Sequence, residues 1–243
     1  MAKAPNDPKE IFQDFTDDCK SFFGDDLVSI ILYGSATGKN YRPGKSDINF
    51  MIVLSEEGID HLDRAFKLVE KWRKRKVGVP LFLTETYIRT STDVFPIEYF
   101  NFQGNHVLVY GMDLLKELSF DHNWVRLQCE REIKGKLLLL REAYLETAGK
   151  ARGLKELIGQ SIGAFAAVFE ALLFLKGKEA TGDRRLTMRQ ACEAFDIDAR
   201  LFESLLDIRE EKAKPSDEEM RGLFTKYLKE VRKLSKAVDA LGG

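Results

Sequence analysis

The stretch from Leu32 to Leu54, LYGSATGKNYRPGKSDINFMIVL, constrains this chain more than any other. An apolar run, Leu27 to Tyr33, stops at Gly34-Ser35. Residues 36–46 are largely polar. Asp47-Ile48-Asn49 then leads into a second apolar run, Phe50 to Leu54. Short apolar runs bounded by turn residues read as buried strands. The pattern is strand, glycine turn, loop, strand. It brings a small polar turn together with a strand-borne acid, an arrangement that suits a metal-bound triphosphate.

An apolar residue, Gly-Ser, a spacer and then Asp-x-Asp resembles the signature of the nucleotidyltransferase superfamily. This is the DNA polymerase β-like fold, which includes the aminoglycoside adenylyltransferases. Here the second Asp is Asn49. The resemblance implies that Gly34 and Ser35 bind a triphosphate; Lys45 and Ser46 are further nucleotide-binding candidates because they stand beside Asp47 in the sequence. It implies that Asp47 and Asn49 hold Mg²⁺ (or Mn²⁺) and form the catalytic pair. Asn49 offers only a neutral amide oxygen where Mg²⁺ prefers a carboxylate. The superfamily also carries a third acid on a later strand. The corresponding run, Val79-Pro80-Leu81-Phe82-Leu83-Thr84-Glu85, has an apolar centre, with Glu85 at its edge and Glu98 beyond the next loop. Glu85 is taken as the third catalytic residue, with Glu98 the other candidate.

The expected fold is α+β: a small mixed β-sheet domain over residues 1–120, then an all-α helical bundle over 121–243. In the first part, Asp7-Pro8-Lys9-Glu10 reads as a helix start. A helix from about Ile59 to Lys74 comes after the second strand, with Leu62, Phe66, Val69 and Trp72 as its apolar stripe. Val79 to Thr84 and Val107 to Tyr110 read as further strands. In the second part, Arg126 to Ala148 and Lys155 to Lys176 read as helices, and a last helix runs to about Leu241. Thr187 to Gln190 and Ser216 to Glu219 have the form of capping boxes. Gly159, Gly163, Ala166 and Ala167 make a small-residue face for core or homodimer packing.

Charge narrows the partners. The 38 basic and 39 acidic side chains leave a net charge of −1, so nothing draws the whole chain to nucleic acid. The run Lys71 to Lys76 falls at a helix C-terminus, where cations favour the dipole. Lys39, Arg42 and Lys45 stand in the loop before Asp47 and are candidates for phosphate contacts. Arg126, Glu130 and Lys134 recur four apart, as on a solvent face or a face turned to a ligand cleft. Three cysteines, Cys19, Cys129 and Cys192, fit reduced cytosolic thiols. The most apolar segment, Ile162 to Leu175, is interrupted by Glu170 and reads as a buried helix rather than a membrane span. A cytoplasmic protein is expected, using an NTP such as ATP and an unidentified hydroxyl acceptor. The other reading is a catalytically impaired nucleotide-binding or protein-interaction module of the same fold.

Overall fold

The computed structural model describes residues 4–38, 41–181 and 183–242. The chain divides into two compact units, Met1–Val94 with Phe102–Ser119, and Phe95–Asn101 with Phe120–Gly243.

In the first unit Asp7 caps a 3-10 turn, Pro8–Ile11. Its side chain accepts from Lys9 N–H at 2.9 Å, and Glu10 reaches back to Asp7 N–H. Helix α1, Phe12–Phe23, comes next, and Gly24 ends it. Then come β1 (Leu27–Tyr33), a 3-10 turn (Gly34–Thr37), β2 (Asn49–Leu54), α2 (Glu56–Ile59), α3 (Phe66–Arg73), β3 (Leu81–Thr84) and α4 (Glu85–Thr90). Helix α5, Pro96–Gly104, contains the division between the units, and β4 is His106–Gly111. The sheet order is β3-β2-β1-β4. β1 is antiparallel to both neighbours, whereas β2 and β3 are parallel. A parallel pair needs a crossover, and α2 and α3 supply it.

Alternate residues of β1 and β2 face the helices. Ile30, Leu32, Phe50, Ile52 and Leu54 form one core cluster with Phe15, Cys19, Leu68 and Trp72. The Phe15 ring stacks on Phe50 at 4.2 Å and meets Trp72 edge-on at 5.1 Å. Burial of each such ring stabilises by roughly 1.5–3 kcal/mol. Trp72 keeps its polar atom satisfied, since Nε1 donates to Asp18 at 2.7 Å.

Two expectations about this crossover need correction. The continuous helix from Ile59 to Lys74 is broken by a 3-10 turn, Leu62–Ala65. Three residues per turn instead of 3.6 rotates the phase of the helical turns beyond it. Ala65, Leu68 and Trp72 therefore face the core, whereas Leu62 and Phe66 are exposed, Phe66 by 75%. β3 is shorter than the run Val79 to Thr84, because Pro80 has no N–H to give a ladder.

The second unit holds α6 (His122–Glu146), α7 (Ala151–Ala164), α8 (Ala166–Leu175), α9 (Arg184–Ala194), α10 (Ala199–Arg209) and α11 (Asp217–Asp239). Its core runs from Val125, Cys129 and Ile133 on α6 to Phe224, Tyr227 and Val231 on α11. Ser216 and Glu219 form the expected capping box. Thr187 does not form one. Asp183 caps α9 by accepting from Arg185 and Leu186, which leaves Thr187 buried inside the helix. The single helix expected over Lys155 to Lys176 bends by 41° between α7 and α8. Gly159 and Gly163 receive an arginine rather than a helix backbone: a Cβ at Gly163 would lie 3.0 Å from Nη1 of Arg209. The Arg126, Glu130 and Lys134 series is an ion-pair ladder that ends on Asp239. No single helix among the described residues is long and apolar enough to cross a membrane.

Candidate functional site

Antiparallel register joins the two halves of the Gly-Ser…Asp-Ile-Asn motif. Tyr33, the last residue of β1, pairs with Asn49, the first of β2. The turn after Tyr33 therefore lies beside the residues that precede Phe50. Gly34 takes φ +78°, a backbone that favours glycine. Its N–H donates to Asn105 O at 3.4 Å, and its carbonyl accepts from Thr37 Oγ1 at 2.8 Å. Ala36 is buried under the turn, which leaves Ser35 exposed with no partner among the described residues.

Period-two alternation sorts the acid strand. Ile48 and Phe50 are fully buried in the first core, so Asp47 and Asn49 fall on the other side. Asp47 is exposed and has no partner among the described residues. Asn49 is half-buried between two glycines. Its Nδ2 lies 3.8 Å from where a Cβ of Gly34 would stand, and its Oδ1 lies 2.8 Å from where a Cβ of Gly78 would stand. Gly78 is fixed there because its N–H donates to Ile48 O at 2.9 Å. Sequence reasoning missed Gly78. Its signal was a glycine just before the third strand, which marks close backbone approach.

The loop before Asp47 is closed by its own hydrogen bonds. Lys45 and Ser46 N–H both donate to Arg42 O, at 3.0 and 2.9 Å, and Ser46 Oγ accepts from Arg42 N–H at 3.1 Å. Ser46 thus holds the turn, and its oxygen is engaged by the backbone. Gly44 supplies the left-handed residue the turn needs, at φ +74°. Lys45 and Arg42 are exposed, and Lys39 lies outside the described residues. Tyr41 anchors the loop by donating to Pro5 O at 2.9 Å. Burial lifts the Tyr41 and Tyr33 hydroxyls above the usual tyrosine range, with Glu10 and Asp7 adding to the effect at Tyr41.

Glu85 is not brought to this site. Parallel register pairs Met51 with Leu81 and Leu54 with Thr84, so Glu85 emerges beside Ser55. The run from Asn49 to Leu54 separates the two ends by about 17 Å at 3.3 Å per residue. Glu85 instead pairs with Arg89 at 2.8 Å and lines a hollow with Val28, Leu54, Ser55 and Glu56. Beside that hollow Asp26 accepts from Ser55 and from Arg64, which hold its carboxyl below the usual range. The end of the third strand near Asn49 carries Val79 and Leu81, which are 61% and 38% exposed. Glu98 belongs to the second unit and accepts from Gln128 Nε2 at 2.7 Å. Among the described residues no three His, Cys, Asp or Glu side chains come together as a metal cage.

Two cations of the basic run form ion pairs with α1. Lys71 pairs with Asp18 at 2.6 Å and Arg75 with Asp14 at 3.8 Å, and both cations lie over the Trp72 ring.

No protein-family model matches the chain, and no curated protein does either. A crystal structure of spectinomycin adenyltransferase AAD(9) from Enterococcus faecialis, with ATP and spectinomycin, matches it in fold. The TM-score is 0.50 at 12% identity, over 93% of this chain and 99% of that one. The chain shares the fold of that adenyltransferase. Similarity spanning nearly both chains accounts for the α+β layout, a small mixed sheet followed by helices. At 12% identity it transfers no residue roles, and the site here rests on its own geometry.

Proposed function

We propose that this nucleotidyltransferase fold binds a nucleoside triphosphate, ATP first among them, at the Gly34 turn and Asp47. From there it passes the nucleoside monophosphate to a hydroxyl of a small molecule or protein. The pairing of Tyr33 with Asn49 supports the reading, because the turn that holds the exposed Ser35 leaves β1 at the end where Asp47 leads into β2. The turn takes the phosphates on backbone and hydroxyl donors, as glycine-rich turns do. Lys45 and Arg42 add positive charge at the rim.

The donor set fits one divalent cation. Mg²⁺ takes one or two carboxylates together with substrate phosphates. Asp47 supplies the carboxylate and Asn49 the amide that flanks it. When bound, the cation neutralises triphosphate charge and stabilises the leaving pyrophosphate. The acceptor oxygen forms a bond to the α-phosphorus, the bond to the bridging oxygen breaks, and the acceptor proton passes to water. A cytoplasmic setting supplies both nucleotide and Mg²⁺.

A second reading is nucleotide binding without transfer. Val79 and Leu81 favour it, since the third strand offers no acid at the end near Asn49. Pyrophosphate release, measured with each NTP, Mg²⁺ or Mn²⁺ and a panel of hydroxylated acceptors, separates the two. Release that Asp47→Ala abolishes supports the enzyme. Saturable NTP binding with no release supports the second reading.

A further inference from the structure

We propose that Lys76 is a phosphate-binding cation of the nucleotide site, an inference that rests on reading the Gly34 turn and Asp47 as that site. The chain approaches β3 through one parallel bridge, Ile48 with Val77. Ile48 N–H donates to Lys76 O at 2.8 Å, and Gly78 N–H donates to Ile48 O at 2.9 Å. Ile48 and Val77 are both buried, at 0% and 4% exposure. The residues before them, Asp47 and Lys76, are therefore neighbours in the register of this bridge, and both are exposed.

The backbone of Lys76 has its own explanation. It takes φ +66° where Val77 N–H reaches back to Trp72 O at 3.3 Å and closes the end of α3. Glycine is the usual residue at such a closure. Asp196 and Glu211 occupy the same kind of closure elsewhere in the chain, so the turn itself does not call for lysine.

The partners distinguish Lys76. Within the same run Lys71 and Arg75 are neutralised by Asp18 and Asp14. Lys76 has no ion pair among the described residues, and neither does its ladder neighbour Asp47. A carboxylate and an ammonium at neighbouring backbone positions, neither of them in an ion pair, match the two halves of a cation–triphosphate, with the acid to the cation and the lysine to phosphate oxygens. Lys74 is exposed and unpaired on the same run, but it has no backbone bond to the acid strand. It serves as an internal control.

Lys76→Gly removes the ammonium and suits the left-handed backbone. Calorimetry with Mg²⁺-ATP, and with Mg²⁺-tripolyphosphate as a probe that lacks the nucleoside, reads the effect. The expected result is binding of both ligands weakened about tenfold, about 1.4 kcal/mol, in Lys76→Gly. Its melting temperature stays unchanged or rises, Lys76→Arg binds as wild type does, and Lys74→Ala loses nothing. Wild-type binding by Lys76→Gly, alongside loss in Asp47→Ala, overturns the role of Lys76 and leaves the site standing. An equal loss in Lys74→Ala shows a diffuse field and also overturns it. No binding of either ligand to the wild-type protein overturns both this inference and the site.

Discussion

Gly78 lies so close to Asn49 that a single methyl group at residue 78 would stand 2.8 Å from the Asn49 amide oxygen. The hydrogen bond from Gly78 N–H to Ile48 O prevents the backbone from retreating. The amide is thus packed between the start of the third strand and the Gly34 turn.

Gly78→Ala should therefore make the Asn49 amide shift, at about 1 kcal/mol, the low end for overpacking, because the atom met is the end of a side chain. The cost should largely vanish in an Asn49→Ala background, since the clash is with that side chain. Urea unfolding of the two single variants and the double variant measures the coupling, and additive costs contradict the contact.

Gly34→Ala tests a different cost. The nearest atom to a new Cβ is Asn49 Nδ2 at 3.8 Å, which is ordinary contact. What remains is the positive φ, worth roughly 1–2 kcal/mol for a residue with a side chain. Because the penalty is conformational, Asn49→Ala should not relieve it. Relief there would mean that the turn is limited by space instead.

The motif halves were legible because they are local: two apolar runs and a glycine turn mark two strands and the loop between them, whereas the pairing of Tyr33 with Asn49 came from the structure. Glu85 was misplaced for a physical reason. Strand direction is set by pairing, and a parallel β2–β3 pair carries the end of the third run away from Asp47. Gly78 and Lys76 were missed because their meaning arises only when a bridge closes between residues 48 and 77. The helical half was readable as helices, yet its details came from tertiary packing. Thr187 is buried behind a better cap at Asp183, and, in the first unit, the α3 stripe shifted with one 3-10 turn.

Acid should weaken the α6–α11 ladder. Hydrogen bonds from Lys134 and then Arg126 hold the Glu130 carboxyl down to about 2. An acid whose folded pKa lies below its unfolded value, about 4.3, adds stability above that value and loses it as pH falls toward the folded one. Melting temperatures should therefore drop between about pH 4.3 and 2, and less steeply in Glu130→Gln. Solvent screening keeps the effect under about 1 kcal/mol. An identical pH profile in the variant contradicts this.

The thiols should be inert in the native state. Burial, with Asp18 and Glu132 beside them, pushes Cys19 and Cys129 up to about 12, and burial raises Cys192 as well. Reactivity requires thiolate and access. A disulfide reagent at pH 8 should label no cysteine in native protein and all three in denaturant. Rapid native labelling of any of them contradicts their burial.

Equilibrium binding of Mg²⁺-ATP and the other NTPs, to wild type and to Asp47→Ala, tests whether Gly34 and Asp47 form a nucleotide site. Saturable binding is expected, weakened at least about tenfold in Asp47→Ala with no fall in melting temperature. Equal affinity in the two proteins, or no binding of any NTP to the wild type, contradicts a nucleotide site at Gly34 and Asp47.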